Sequence, residues 1–227
     1  MKPLPFKPEG VFFDLDGTLL DSARDLYAAL VTLSGELGRE APPYDTVRAV
    51  VSRGSRAMLA VTFPEFDADA ILAQIPRFFA LYEATMGTDG SHPFNGIEPL
   101  LAGLDTAGIR WGIVTNKPGA LTDALLPRAV PHWKPAAVVS GDTLPVKKPD
   151  PAPVLHACAI AGCDPLRSVF VGDDRRDVQA GHAAGLYTVA VRWGYLDGGD
   201  PSDWDADAVI DHPDELAALC GLGEVAA

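Results

Sequence analysis

The sequence predicts an α/β fold: a parallel, doubly wound sheet with a block of helices inserted after its first strand. Three observations carry that expectation. Short apolar runs recur at 10–15, 110–115, 136–140, 168–172, 187–191 and 208–210. Each is followed by a turn and then, in most cases, by a helical pattern, the alternation that builds a parallel sheet covered on both faces. Residues 20 to about 91 break this rhythm and hold no good strand.

The elements follow in order. Gly10 to Leu15 reads G-V-F-F-D-L, a buried strand. Ser22 and Asp25 have the spacing of a capping box, with Asp in place of Glu, and precede Leu26, Leu30, Leu33 and Leu37 at helical spacing. Gly38 and Pro42-Pro43 end that helix. Further helices are predicted over 45–51, 55–62 and 69–85, the last carrying Ile71, Ile75, Phe78, Phe79 and Tyr82. Pro76 is expected to kink or break it. Helices at 96–107, 118–126, 152–161, 174–184 and 213–220 then alternate with the remaining strands. The Gly/Pro/Asp stretch 194–205 contains Tyr195, Leu196 and Trp204 and reads as an ordered surface loop.

The 227 residues suit one large domain, or one domain with an insertion. Apolar residues make up 48% and charged residues 22%, which argues against disorder. There are 18 Lys+Arg against 31 Asp+Glu, a formal charge of -13. No basic run exceeds Lys147-Lys148 or Arg175-Arg176, so a nucleic-acid or anionic-membrane partner is not expected. Cys158, Cys163 and Cys220 form no C-x-x-C pair and read as reduced thiols, the usage of a cytoplasmic protein. The N-terminus shows no apolar signal-like region, and no apolar run approaches the ~20 residues of a membrane span. The five histidines show no paired metal-ligand spacing.

Four segments carry the chemistry. Asp14-Leu15-Asp16-Gly17-Thr18 places two carboxylates at a strand end, and an extended strand would point both the same way. Two like charges this close call for a shared cation or proton. Val171-Gly172-Asp173-Asp174, followed by Asp177, ends another strand. If it lies at the same sheet edge, oxygens of Asp14, Asp16 and Asp173 describe a hard-cation site suited to Mg²⁺. Asp174 and Asp177 also have the positions of helix N-terminal caps. Thr115-Asn116 ends the 110–115 strand at a turn where a hydroxyl and backbone N–H groups can hold a phosphoryl oxygen. In Lys147-Lys148-Pro149-Asp150-Pro151, proline restricts Lys148 and would fix its direction.

Together these segments resemble the haloacid dehalogenase superfamily of phosphotransferases, over essentially the whole chain. Asp14 to Leu19 is similar to its D-x-D-G-T-[LV] motif, Thr115 to its hydroxyl motif, Lys148 to its lysine motif, and Gly172-Asp173 with Asp177 to its acidic G-D-x-x-x-D motif. The resemblance implies a Rossmann-like core over 1–19 and 92–227 and a helical cap over 20–91. It implies that Asp14 is the nucleophile, that Asp16 is the general acid and base, and that Thr115 and Lys148 stabilise the phosphoryl group. It further implies Mg²⁺ held by the Asp14 carboxylate, the Asp16 carbonyl and the Asp173 carboxylate, with Gly172, Asp174 and Asp177 in support. An acid at position 16 favours a phosphatase or mutase over a dehalogenase or an ion pump.

Within the superfamily the chain is similar to the bacterial phosphoglycolate phosphatases, through Val114-Thr115-Asn116-Lys117, Lys148-Pro149-Asp150-Pro151 and Val171-Gly172-Asp173-Asp174. It also resembles the N-acetylmuramic acid 6-phosphate phosphatases, through Val51 to Met58, Trp111 to Val114 and Val191 to Tyr195. A β-phosphoglucomutase-type sugar phosphomutase would share all four motifs. The expected partner is a small phosphorylated, anionic substrate, with the protein a monomer or homodimer. Asn116, Arg53 and Gly54 are candidate substrate contacts. The segment 52–56 joins two short helices with a glycine and two guanidinium groups, and Arg53 could clamp a carboxylate or phosphate bidentately.

Overall fold

A computed structural model describes residues 4–87, 90–196 and 199–222. Six parallel strands form the sheet: β1 (Gly10–Phe13), β4 (Arg110–Val114), β5 (Ala137–Val139), β6 (Ser168–Gly172), β7 (Tyr187–Val191) and β8 (Ala208–Ile210). Their order is β5-β4-β1-β6-β7-β8. β1 therefore lies between β4 and β6, pairing Phe13 with Ile113 on one side and with Val171 on the other.

Each central strand is apolar on both sides, and alternate residues serve two cores. Val11, Phe13, Val169 and Val171 join one cluster with Leu100, Leu104, Leu125 and Leu216. These leucines come from α5 (Ile97–Thr106), α6 (Gly119–Ala129) and α9 (Pro213–Leu219). Phe12 and Phe170 join the other cluster, with Val154, Ala157 and Ala180 of α7 (Ala152–Ala161) and α8 (Arg175–Ala183). This is the doubly wound arrangement that the strand–helix alternation predicts.

Between β1 and α5 the chain builds α1 (Ala23–Glu36), α2 (Tyr44–Arg48), a 3-10 turn at Val51–Arg53, α3 (Ser55–Thr62) and α4 (Ala68–Thr85). Leu26, Leu30 and Leu33 of α1 and Ile71, Phe78 and Tyr82 of α4 are buried in the same cluster that covers one face of the sheet. Among the described residues, no helix is long and apolar enough to cross a membrane.

The structure departs from the sequence expectations in five places. A two-stranded antiparallel ribbon, β2 (Leu20–Asp21) with β3 (His92–Pro93), brackets the helical block, in a region expected to hold no strand. Two residues per strand leave no periodicity to read. Ser22 and Asp25 do not form a capping box. No side chain caps α1, and buried Asp25 instead accepts from Gly87 N at 2.9 Å and Ser91 Oγ at 2.5 Å. Pro76 lies inside an unbroken α4. Proline removes the N–H owed to the Leu72 carbonyl, and Leu72 is 40% exposed, so water can satisfy that carbonyl. The first strand ends at Phe13, two residues short of Leu15, because Asp14 to Asp16 enter a turn. Tyr195, assigned to a surface loop, is buried. Parts of the expected segments 1–19, 20–91 and 92–227 fall on residues 1–3, 88–89, 197–198 and 223–227, which lie outside the described residues.

Packing of α1 on α4 predicts a contrast between neighbours. Leu30 is fully buried and Val31 is 44% exposed. Leu30→Ala is expected to cost about 2–5 kcal/mol in urea unfolding, and Val31→Ala to stay within about 0.5 kcal/mol of wild type.

Candidate active site

The turn after β1 is the floor of the site. Asp14 N donates to Val171 O at 2.9 Å, holding the turn to β6. Asp14 Oδ1 accepts from Leu15 N at 2.7 Å and pairs with Lys148 Nζ at 2.8 Å. Both contacts fall on Oδ1, and Oδ2 accepts no hydrogen bond among the described residues. Asp16 has different partners: Ser22 Oγ at 2.5 Å, and Lys117 Nζ at 3.1 and 3.2 Å. The two carboxylates that strand alternation would send the same way are thus held apart by separate lysines.

Lys148 is buried between Asp14 and Asp177, at 2.8 and 2.7 Å. Burial alone would lower its pKa, but the two carboxylates outweigh burial and hold it above the usual lysine range. Asn116 Nδ2 donates to Lys148 O at 3.0 Å, fixing the lysine's backbone. Lys117 is likewise buried. Desolvation opposes its charge and Asp16 more than offsets it, so its pKa too is raised. Its Nζ also donates to Tyr82 Oη of α4 at 3.0 Å.

Asp173, at the end of β6, is fully buried. It accepts from Thr18 Oγ1 at 3.1 Å, Ser52 Oγ at 2.9 Å and Tyr195 N at 2.9 Å. Burial, then the neighbouring Asp14 charge, push its pKa up to about 7. Glycine makes room for it. A side chain at Gly17, where φ is +91, or at Gly194 would collide with the Asp173 carboxylate.

Asp174 is turned to a structural task. It caps α8 through Arg176 N at 2.8 Å and holds the Arg176 guanidinium at 2.7 Å, while Asp177 Oδ2 accepts from Asp174 N at 3.1 Å. Arg176 in turn donates to Ser52 O on the helical block. Asp177 is both a member of the capping box and a partner of Lys148.

Carboxylate oxygens of Asp14, Asp173 and Asp177 lie within 4.8 Å of one another. An all-oxygen donor set with unbalanced negative charge fits a hard divalent cation. The same crowding of buried carboxylates raises the Asp173 pKa, and a cation held there would relieve it. The Asp16 carboxylate is not in this group, so any part for Asp16 falls to its main-chain carbonyl.

A cavity of about 330 Å³ opens above this floor. Asp14, Asp16, Thr115, Asn116, Arg53 and Gly54 all line it, and Arg56, Lys147, Lys117 and Arg176 add positive charge. Lys148, Gly172, Asp173 and Asp177 are not among the residues that line it. Arg53 and Arg56 are exposed. Sequence reasoning missed Lys117, Tyr82, Ser22, Ser52 and Arg176. Lys117 carried a signal, as the residue next to Thr115-Asn116, whereas Tyr82 and Ser22 read as helix-stripe and helix-cap residues.

A family profile described as haloacid dehalogenase-like hydrolase matches residues 11–191. The chain is 45% identical over 210 residues to a phosphoglycolate phosphatase of Xanthomonas campestris pv. campestris, covering 92% of this chain and 95% of that one. It is 41% identical over 221 residues to an N-acetylmuramic acid 6-phosphate phosphatase of Pseudomonas aeruginosa, covering 93% and 96%. A crystal structure of a predicted phosphoglycolate phosphatase from Haemophilus somnus shares the fold with TM-score 0.84 at 22% identity, over 95% of this chain and 99% of that one.

The Asp173 environment sets a pH dependence. Its folded pKa, about 7, lies above the ordinary 3.8, so the folded state binds the extra proton between those values. The contribution of Asp173 to stability is therefore fullest below the ordinary value and is lost as pH rises through about 7. In chelator, the wild type is expected to lose ground to Asp173→Asn by a few kcal/mol from about pH 4 to 8 in calorimetry. At pH 8, a divalent cation should raise the Tm of the wild type and leave that of the variant unmoved.

Proposed function

Given that the chain belongs to the haloacid dehalogenase-like hydrolase family, we propose that it is a Mg²⁺-dependent phosphomonoester hydrolase of the phosphoglycolate phosphatase kind, acting through an aspartyl-phosphate. The observation that carries this reading is Asp14. One carboxylate oxygen is anchored by Lys148 and Leu15 N, and the other is left without a hydrogen-bond donor among the described residues at the floor of a cationic cavity.

The chain's own groups supply the steps. Asp14 Oδ2 attacks phosphorus, and the ester oxygen departs with a proton from the Asp16 carboxyl. Water then attacks the phosphoryl group on Asp14, gives a proton to Asp16, and inorganic phosphate leaves with Asp14 restored. The Thr115 hydroxyl, the turn amides that follow it and the Lys148 ammonium stabilise the phosphoryl charge. Mg²⁺, when held by the Asp14 and Asp173 carboxylates and the Asp16 carbonyl, supplies further positive charge at the phosphoryl oxygens.

Residues 20–91 act as a cap over a core of 1–19 and 92–227. Ser52 and Arg176 are a contact between the two, and closure excludes bulk water. Arg53 and Gly54, with Asn116, face the part of the substrate beyond the phosphate, where a carboxylate suits the guanidinium. The enzyme works in the cytoplasm as a monomer or homodimer.

A second reading, an N-acetylmuramic acid 6-phosphate phosphatase, draws on the Pseudomonas aeruginosa relative and on the cavity. About 330 Å³ is more space than a two-carbon phosphoacid fills.

Asp14→Asn is expected to fold normally and to lose phosphate release by at least about 10³-fold, in line with removal of a covalent nucleophile. Retained turnover would exclude the mechanism. Values of kcat/KM on 2-phosphoglycolate, N-acetylmuramic acid 6-phosphate and a hexose phosphate choose between the readings: the highest on the first supports the main one, the highest on the second supports the other.

A further inference from the structure

Lys117 is an ammonium group placed where only partners make it tolerable. It lies in the turn between β4 and α6, its side chain is 5% exposed, and its backbone N–H donates to Thr115 Oγ1 at 3.1 Å. Burying an unpaired cation is costly. Its partners come from two other parts of the chain: both oxygens of Asp16 at 3.2 and 3.1 Å, from the turn after β1, and the Tyr82 hydroxyl at 3.0 Å, from α4. Nζ also stands 4.5 Å from the centre of the Tyr82 ring. Asp16, Lys117 and Tyr82 all line the cavity that holds Asp14.

We propose that Lys117 is a positioning residue for the Asp16 carboxyl group, and that Tyr82 makes its grip depend on the seating of α4. This rests on the functional reading above, in which Asp16 delivers and recovers a proton. Asp16 has one neutral anchor, Ser22 Oγ on Oδ1. Without Lys117, Oδ2 would have no donor among the described residues, and the carboxyl group could rotate away from the leaving oxygen. Tyr82 Oη accepts the ammonium from the helical-block side, so displacement of α4 frees one N–H of Lys117 and loosens the hold on Asp16. Proton delivery is thereby tied to a closed cavity, through a contact separate from the Ser52–Asp173 and Arg176–Ser52 bonds.

The prediction separates esters by leaving group. Nitrophenolate departs without a proton, whereas an alkoxide needs Asp16. In the first half-reaction Asp14 forms a bond to phosphorus, the P–O ester bond breaks, and the proton goes from Asp16 to the alkoxide. In the second half-reaction water adds to phosphorus, the P–O bond to Asp14 breaks, and the proton returns to Asp16.

The test is rapid mixing of Mg²⁺-loaded enzyme with p-nitrophenyl phosphate, alongside steady-state turnover of the alkyl monoester with the highest kcat in the panel above. Lys117→Met is expected to give a nitrophenolate burst within about threefold of the wild-type rate. Its later turnover, and its kcat on the alkyl ester, should fall by about 10²-fold or more, the range of lost acid–base assistance, with KM changed less than about threefold. Tyr82→Phe should show the same order at about three- to tenfold. It removes one hydroxyl and decides the matter if Lys117→Met lacks a cooperative unfolding transition.

Equal slowing of the burst and of alkyl turnover would make Lys117 a structural charge and overturn the proposal, as would undiminished turnover of both esters. Asp14→Asn is the control. If it abolishes the burst, the reading beneath stands and the comparison judges Lys117 alone. If it does not, that reading falls and takes this one with it.

Discussion

The structure depends on neutralising carboxylates that the fold gathers in one place. Asp14, Asp16, Asp173 and Asp177 meet where β1 and β6 end, and bringing like charges together out of water is unfavourable unless cations are built in among them. Two buried lysines answer part of that demand. Lys148 spans Asp14 and Asp177, and Lys117 takes Asp16. Two negative charges remain: Asp14 and Asp177 share one ammonium group, with burial pushing the Asp177 carboxyl well above its ordinary range, and Asp173 has three hydrogen bonds and, among the described residues, no lysine. Each lysine sits on a separate loop, so the placement of the loop after β4 and of the one preceding α7 follows from the need to deliver an ammonium group. Removing one member would leave an uncompensated buried charge on the other.

The sheet order makes this gathering possible. With β1 between β4 and β6, three adjacent strands open their carboxyl ends onto one crevice, the place where doubly wound sheets bind ligands. The strand residues are apolar on both faces and reveal nothing of the chemistry. The residue after each strand is where polar groups first reach the crevice: Asp14 after β1, Thr115 after β4, Asp173 after β6. The helical block closes the other side and is tied to the same carboxylates. Ser22 reaches Asp16, Ser52 reaches Asp173, and Tyr195 Oη accepts from Ser22 N and Ala23 N where α1 begins.

This division explains what could be read from the chain. All six sheet strands were legible because an apolar run followed by a turn and a helical stripe has few other meanings, and β6, β7 and β8 match residue for residue. Asp14, Thr115, Lys148 and Asp173 were legible because each stands beside a strand end or a proline. Ser22, Asp25, Lys117 and Tyr82 were not, since local pattern assigned each an adequate local task. Ser22 and Asp25 matched a helix cap, and Tyr82 continued the stripe of Ile71, Ile75 and Phe78. Their partners lie at separations that no window of sequence spans: 101 residues from Asp16 to Lys117, and 66 from Asp25 to Ser91. Pro76, expected to kink or break α4, does not break it: the helix runs on through it, and the exposed Leu72 stands where the carbonyl loses its partner.

The net charge of -13 bears on how such a site can accept an anion. A chain this acidic repels a phosphorylated acid at long range, so attraction has to be local. The cavity wall collects Arg53, Arg56, Lys147, Lys117 and Arg176, five of the 18 Lys+Arg, around one opening. Within the cavity, Lys117 pairs with Asp16 and Arg176 with Asp174. Arg53, Arg56 and Lys147 are exposed at the rim, where a divalent cation at the carboxylate cluster would add to their field. The acidic excess and the cationic opening then work together. The outer surface discourages association with other polyanions, and the short range of the interior charges restricts binding to an anion small enough to enter. Charges crowded within one cavity interact over distances shorter than the ~8–10 Å over which salt screens, so selection at this opening would survive ionic strengths that abolish steering from afar.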